Sequence, residues 1–213
     1  MNKLLASLAL SAAAGLPMAT WAAPVLSITP STNAVAVGGS FTVNLTITGL
    51  STLGEVVSAF DVNVLFNNAL LNNTVFSFDA TLFGGVANVD FSTTLNPGNT
   101  GAIMNSFSSD ADLALLQTAV SFNLGRLTFT AMAAGDSLLT FGPDANFDRL
   151  VVGRNGAALA LDYVGACVSV GASAPGVGCQ NTVPEPASFG LVGLALLASG
   201  AARRKVLQAL VKA

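Results

Sequence analysis

The alternation in Phe41-Thr42-Val43-Asn44-Leu45-Thr46-Ile47-Thr48 constrains this chain more than any other feature of its sequence. Successive side chains of a β-strand point to opposite faces, so a strand here places Phe41, Val43, Leu45 and Ile47 on one face and three threonines and an asparagine on the other. Ser58 to Asn67 repeats the pattern, with Phe60, Val62, Val64 and Phe66 inward and Asp61 and Asn63 outward. Both segments read as half-buried antiparallel-type strands.

Further strands are predicted at Val25 to Ile28, Val35 to Val37, Val120 to Leu124, Arg126 to Met132, Ser137 to Phe141, Ala158 to Tyr163 and Cys167 to Val170. Around Gly125 the inward parity changes from Phe122 and Leu124 to Leu127 and Phe129, which calls for a β-bulge or a break between two strands. Turn residues separate these pieces: Val37-Gly38-Gly39-Ser40, Asn67-Asn68, Asn96-Pro97-Gly98-Asn99, Ala134-Gly135-Asp136 and Arg154-Asn155-Gly156. Many short strands at such spacing predict an all-β sandwich. Ser109 to Leu116 suits one or two helical turns with Ser109 or Asp110 as N-cap.

The two ends differ from this interior. At the start, Lys3, an apolar segment from Leu4 to Leu16, the helix breaker Pro17, and small residues at Thr20 and Ala22 form an export signal with a signal-peptidase site after Ala22. At the other end, an apolar run of 14 residues from Phe189 to Ala202 precedes Arg203, Arg204 and Lys205. As a helix they would cover roughly 21 Å at about 1.5 Å per residue. That is short of the ~30 Å hydrocarbon core, so the segment reads either as a marginal membrane span, helped by tilt and snorkelling cations, or as a buried terminal helix. If it spans, the three cations mark its cytoplasmic side, and 206–213 is a cytoplasmic tail.

Between Ala23 and Thr182 ten carboxylates stand against three arginines, a net charge of −7 with no lysine. This argues against nucleic acid and anionic membrane surfaces as partners, because both are held by basic patches. The region is long enough for one domain, read as 23–171 with a linker at 172–182. An oxidising compartment favours a disulfide between Cys167 and Cys179 over free thiols. Its loop closure would contribute about 3 kcal/mol at most.

Val183-Pro184-Glu185-Pro186, a short apolar helix and then Arg203-Arg204-Lys205 together resemble the tripartite sorting signal of PEP-CTERM proteins, the substrates of exosortases in Gram-negative bacteria. The resemblance covers 183–205. It implies that a membrane-embedded protease recognises Pro184, Glu185 and Pro186, removes the helix and tail, and passes the protein to the cell surface or extracellular matrix. Prolines cannot donate to a helix ladder, so such a triplet stays extended at the membrane edge. The tail Val206 to Ala213 is longer and more apolar than that family's usual few residues.

A second resemblance lies in the interior. Leu26-Ser27-Ile28-Thr29-Pro30, then Val37 to Leu45, then Ser58 to Asn67 followed by Leu70-Leu71 is similar to the opening of cohesin-like domains, and Gly125 to Ala131 resembles the strand before their last hairpin. This implies a jelly-roll sandwich of about nine strands, the fold on which cellulosomal cohesins bind dockerins. Asp61 lies on a strand whose counterpart carries an acidic dockerin contact in some cohesins. The alternative is an ordinary solvated aspartate.

The chain has no histidine, which excludes Ser-His-Asp and Cys-His nucleophile systems and His-liganded metals. No Gly-x-Ser-x-Gly elbow or phosphate-cradling Gly-Lys-Ser/Thr loop occurs. Paired carboxylates for glycoside hydrolysis are available, but aromatic sugar platforms are sparse. The expected role is therefore non-enzymatic. Asp144, Asn146 and Asp148 fall at i, i+2 and i+4 like the first half of a calcium loop, although Arg149 stands where a glycine is needed and no glutamate follows at the twelfth position. An acidic loop is the other reading, and Asp110 with Asp112 offers a weaker cation site. The expectation is an exported surface or matrix protein whose sandwich binds carbohydrate, such as exopolysaccharide, or a surface protein as a cohesin-type adaptor.

Overall fold

The computed structural model describes residues 23–50, 54–171 and 179, which form a sandwich of two sheets. The first sheet has the order β11-β1-β3-β8-β5, built from β1 (Val25–Pro30), β3 (Ser40–Thr48), β5 (Leu71–Ser77), β8 (Ser121–Ala131) and β11 (Asp162–Val164). The second runs β2-β12-β9-β4-β7-β6, with β2 (Ala34–Val35), β4 (Ala59–Leu65), β6 (Val89–Asn96), β7 (Asn99–Ser106), β9 (Gly135–Phe141) and β12 (Ala166–Val170), and β10 (Arg149–Val152) also pairs with β4. Nine of these strands have five or more residues, and β2, β10 and β11 are short. The jelly-roll expectation is met at that count.

Alternation places the core. Along β3, Phe41, Val43, Leu45 and Ile47 are buried and their polar neighbours are partly exposed, and on β4 Phe60, Val62 and Val64 face them from the other sheet. Phe129 joins the layers, stacked on Phe41 at 5.5 Å between ring centroids and edge-on to Phe66 at 5.0 Å. The open side between β5 and β6 is closed by a second ring cluster, in which Phe91 contacts Phe76 at 5.7 Å and Phe78 at 4.4 Å. One polar clamp crosses the core edge: Asn73 of β5 donates to Thr100 Oγ1 of β7 at 2.7 Å.

The parity change at Gly125 is a β-bulge within one continuous β8. Its pairing with β3 slips between Leu45 and Thr46, so Leu124 and Gly125 are both buried. A side chain at Gly125 would put Cβ 2.3 Å from the Phe76 ring, so only glycine fits there. The helix is α1 (Asp110–Leu116), capped by Ser109, whose hydroxyl accepts from the Asp112 N–H. At its end Gln117 is buried and bonded like a strand neighbour: Oε1 accepts from Val57 N–H at 2.7 Å, and Nε2 donates to the carbonyls of Val57 and Leu82.

Two predicted strands are shorter than expected. Val35 to Val37 contributes only β2, because Gly38 turns the chain with φ 81°. Of Ala158 to Tyr163, only the last two residues are strand; Ala158 makes a lone bridge to Val152, since a single 3-10 turn at Arg154–Gly156 brings that segment back on β10. Strands β5, β6, β7 and β10 carry the rest of the sandwich. Cys167 of β12 is joined to Cys179 by a disulfide with Cα atoms 5.2 Å apart, as expected. Among the described residues no helix is long and apolar enough to cross a membrane. The export signal, the apolar run at 189–202 and the sorting residues Pro184, Glu185, Pro186, Arg203, Arg204 and Lys205 lie outside the described residues.

Candidate functional site

Asp61 sits on the outer face of the β10-β4-β7-β6 sheet, and the pairing register shows what surrounds it. One row across the four strands is Leu150, Asp61, Ile103, Ser92; the next is Val152, Ala59, Asn105, Asp90. These residues are exposed or partly exposed, so this half of the face presents Leu150, Ile103, Val152 and Ala59, with the Asp61 carboxylate between Leu150 and Ile103 and Asp90 at the β6 edge. Asp61 Oδ1 accepts from the Asp148 N–H at 3.0 Å. Partial burial pushes the Asp61 carboxyl above its usual range, the Asp148 N–H opposes that, and the neighbouring carboxylates of Asp148 and Asp144 add to the rise.

The other half of the same face is covered. The segment from Gly142 to Asp148 folds over Asn63 and Gly101, which are register partners. Phe147 occupies the space where a Gly101 side chain would stand, with its ring 2.1 Å from the position of such a Cβ. Asn63 is fully buried beneath the segment and donates to the Gly142 carbonyl at 2.9 Å.

Asp144 holds this cover in shape. Its Oδ1 accepts from the N–H groups of Asn146 at 2.7 Å and Phe147 at 2.8 Å, and its Oδ2 accepts from the Asn99 side-chain amide. Asp148 Oδ1 accepts from the Arg149 N–H. The three residues of the calcium-like spacing are thus arranged as a bracketed turn, and among the described residues no group of three or more carboxylates or cysteines is placed to hold a metal ion. In this turn both carboxylate oxygens of Asp144 and Oδ1 of Asp148 are engaged by N–H donors of the chain itself. Asp110 is likewise engaged, accepting from the Asn155 N–H at 2.9 Å, while Asp112 bonds Ser109.

Sequence reasoning reached Asp61 and missed its neighbours, because β6, β7 and β10 were not predicted as strands. A signal was present: Val89, Phe91, Thr93 and Leu95 alternate, and Asn96-Pro97-Gly98-Asn99 makes the connecting turn, with Gly98 at φ 89°. Phe147 carried no such signal, since its role depends on a glycine two strands away.

Residues 182–205 match the PEP-CTERM protein-sorting motif. A comparison with curated proteins finds no match. Among solved structures, the sandwich is similar to a type II cohesin domain from the cellulosome of Acetivibrio cellulolyticus (14% identity, TM-score 0.55, covering 69% of this chain and 95% of that one). It is also similar to the sixth cohesin of scaffoldin B from the same organism, solved in complex with a Cel5 dockerin (14%, 0.52, 70% and 99%). A third is the cohesin module of a family 33 glycoside hydrolase from Clostridium perfringens (14%, 0.50, 69% and 98%). The chain thus joins a domain of cohesin fold to a PEP-CTERM sorting motif, and the motif marks an exported bacterial protein sorted through the membrane.

Proposed function

We propose that this chain is a non-enzymatic protein adaptor, processed by an exosortase at Pro184-Glu185-Pro186 and displayed at the cell surface or in the matrix of a Gram-negative bacterium. The observation that carries the reading is the pairing of a sorting motif at 182–205 with a cohesin fold, a fold whose solved relatives include one bound to a dockerin. The open half of the β10-β4-β7-β6 face is the docking surface in this reading. Leu150, Ile103 and Val152 supply apolar contact, and Asp61 and Asp90 favour a partner segment that carries lysine or arginine. Arg203, Arg204 and Lys205 hold the precursor's tail on the cytoplasmic side until cleavage.

The intact mass of the protein recovered from envelope and medium tests both parts. The wild type should end near Pro-Glu-Pro, and replacing Pro184, Glu185 and Pro186 by alanine should leave export intact while retaining the tail; equal masses for the two would remove the sorting reading. In the same cells, cross-linking should give a partner adduct that Asp61→Arg abolishes and Thr128→Arg, on the opposite sheet, preserves. Loss with both variants or with neither would remove the adaptor surface.

A further inference from the structure

A cleft of about 480 Å³ opens beside the end of β5, lined by Ser77, Phe78, Asp79, Leu82, Asn123 and Arg126. The β-bulge builds it. Asn123 and Arg126 are three residues apart, and in an unbroken strand an odd separation sends two side chains to opposite faces. The extra residue at Leu124–Gly125 returns both to the outer face, with Asn123 opposite Thr46 and Arg126 opposite Asn44. Bulges commonly re-aim side chains beside functional sites.

Each polar group is then oriented by a neighbour that uses only part of it. Thr46 Oγ1 donates to Asn123 Oδ1 at 2.9 Å, which leaves the Asn123 amide N–H groups as donors. Arg126 Nε donates to Asn44 Oδ1 at 3.0 Å, which leaves the two guanidinium amino groups. Asp79 Oδ1 accepts from both the N–H and the hydroxyl of Thr81, bonds that hold its carboxyl below the usual range, and Oδ2 is left as an acceptor. Phe78 is half-buried and fixed by Phe91 at 4.4 Å and Phe83 at 6.1 Å.

We propose that this cleft binds a neutral pyranose unit of a polysaccharide. A sugar hydroxyl both donates and accepts, which suits donors on one side and a carboxylate oxygen on the other. Phe78 and Leu82 line the cleft and supply apolar contact for the C–H face of the sugar, and the volume lies within the usual range of small-molecule sites. The charges of Asp79 and Arg126 cancel, and a domain of net charge −7 disfavours an anionic ligand, so the neutral sugar is preferred over a uronate. The cleft belongs to the sheet opposite the Asp61 face, so this site stands or falls independently of the adaptor reading.

Saturation-transfer NMR on the full chain tests it, using methyl α-D-mannopyranoside, methyl β-D-galactopyranoside, methyl β-D-glucopyranoside and sodium D-glucuronate. Transfer to the ring C–H protons of at least one neutral glycoside is expected. Its affinity should fall at least tenfold in Arg126→Ala and in Asn123→Ala, whose side chains lie outside the core, and stay unchanged in Thr128→Ala. No transfer to any neutral glycoside, wild-type affinity in the two cleft variants, or tighter binding of glucuronate would overturn the proposal.

Discussion

On the outer face of the five-stranded sheet Thr42, Asn44, Thr46 and Thr128 are partly open to solvent, whereas on the outer face of the seven-stranded sheet Asn63, at the same kind of alternating position, is fully buried. Both faces are written with the same period-2 code. The difference comes from a segment outside the strands: Gly142 to Asp148 lies across Asn63 and Gly101, and Phe147 packs into the space that the missing Gly101 side chain leaves. Polar alternation therefore reports which residues turn away from the core. It does not report which of them reach water.

The difference between the faces can be broken most strongly at the cover. Phe147→Ala should cost about 3 kcal/mol, near the low end for a buried phenylalanine, while Thr128→Ala on the uncovered face should change stability by less than about 0.5 kcal/mol. Urea denaturation of both variants checks this, and similar losses for the two would mean that the segment adds nothing to the fold.

A smaller effect sharpens the comparison at the edge of the cover. Partial burial, followed by the charges of Asp148 and Asp144, raises the Asp61 carboxyl above its unfolded value. The folded state then binds the proton more tightly than the unfolded chain, so this group's contribution to stability falls as pH rises through the raised pKa. Asp61→Asn removes that penalty and still accepts from the Asp148 N–H. Its melting temperature should exceed the wild type's at pH 7, and the gain should vanish near pH 3, below the unfolded carboxylate range of about 3.9. A gain of equal size at both pH values would show that charge is not the cause.

The smallest expected change is with calcium. Asp144 already spends its oxygens on Asn146, Phe147 and Asn99, so millimolar calcium should leave the melting temperature where it is. A clear rise would show that the bracketed turn rearranges around the ion, and would restore Asp144, Asn146 and Asp148 as ligands.

The strands with strong alternation, β3 and β4, were legible from the sequence because half-burial imposes period 2 on composition. The bulge at Gly125 was legible for the same reason, since an extra residue must flip the parity on either side of it. Strand β7, Asn99–Ser106, was not: Thr100 and Ala102 are buried on the core face and Gly101 is buried on the covered outer face, so no alternation remains to read. Asp61 could be named in advance, but the Leu150, Ile103 and Ser92 that stand in its row come from three other strands.

By itself the sequence determined the sandwich class, the disulfide pair, the negative exported region and the sorting motif, because each is written in local pattern, composition or contiguous residues. Only the tertiary structure decided that Phe147 covers Gly101, that Asn123 and Arg126 share a cleft with Phe78, and that Asp144 is a turn bracket. Those outcomes depend on register and on close approach between segments far apart in the chain, and a residue's own neighbours in sequence carry no record of either.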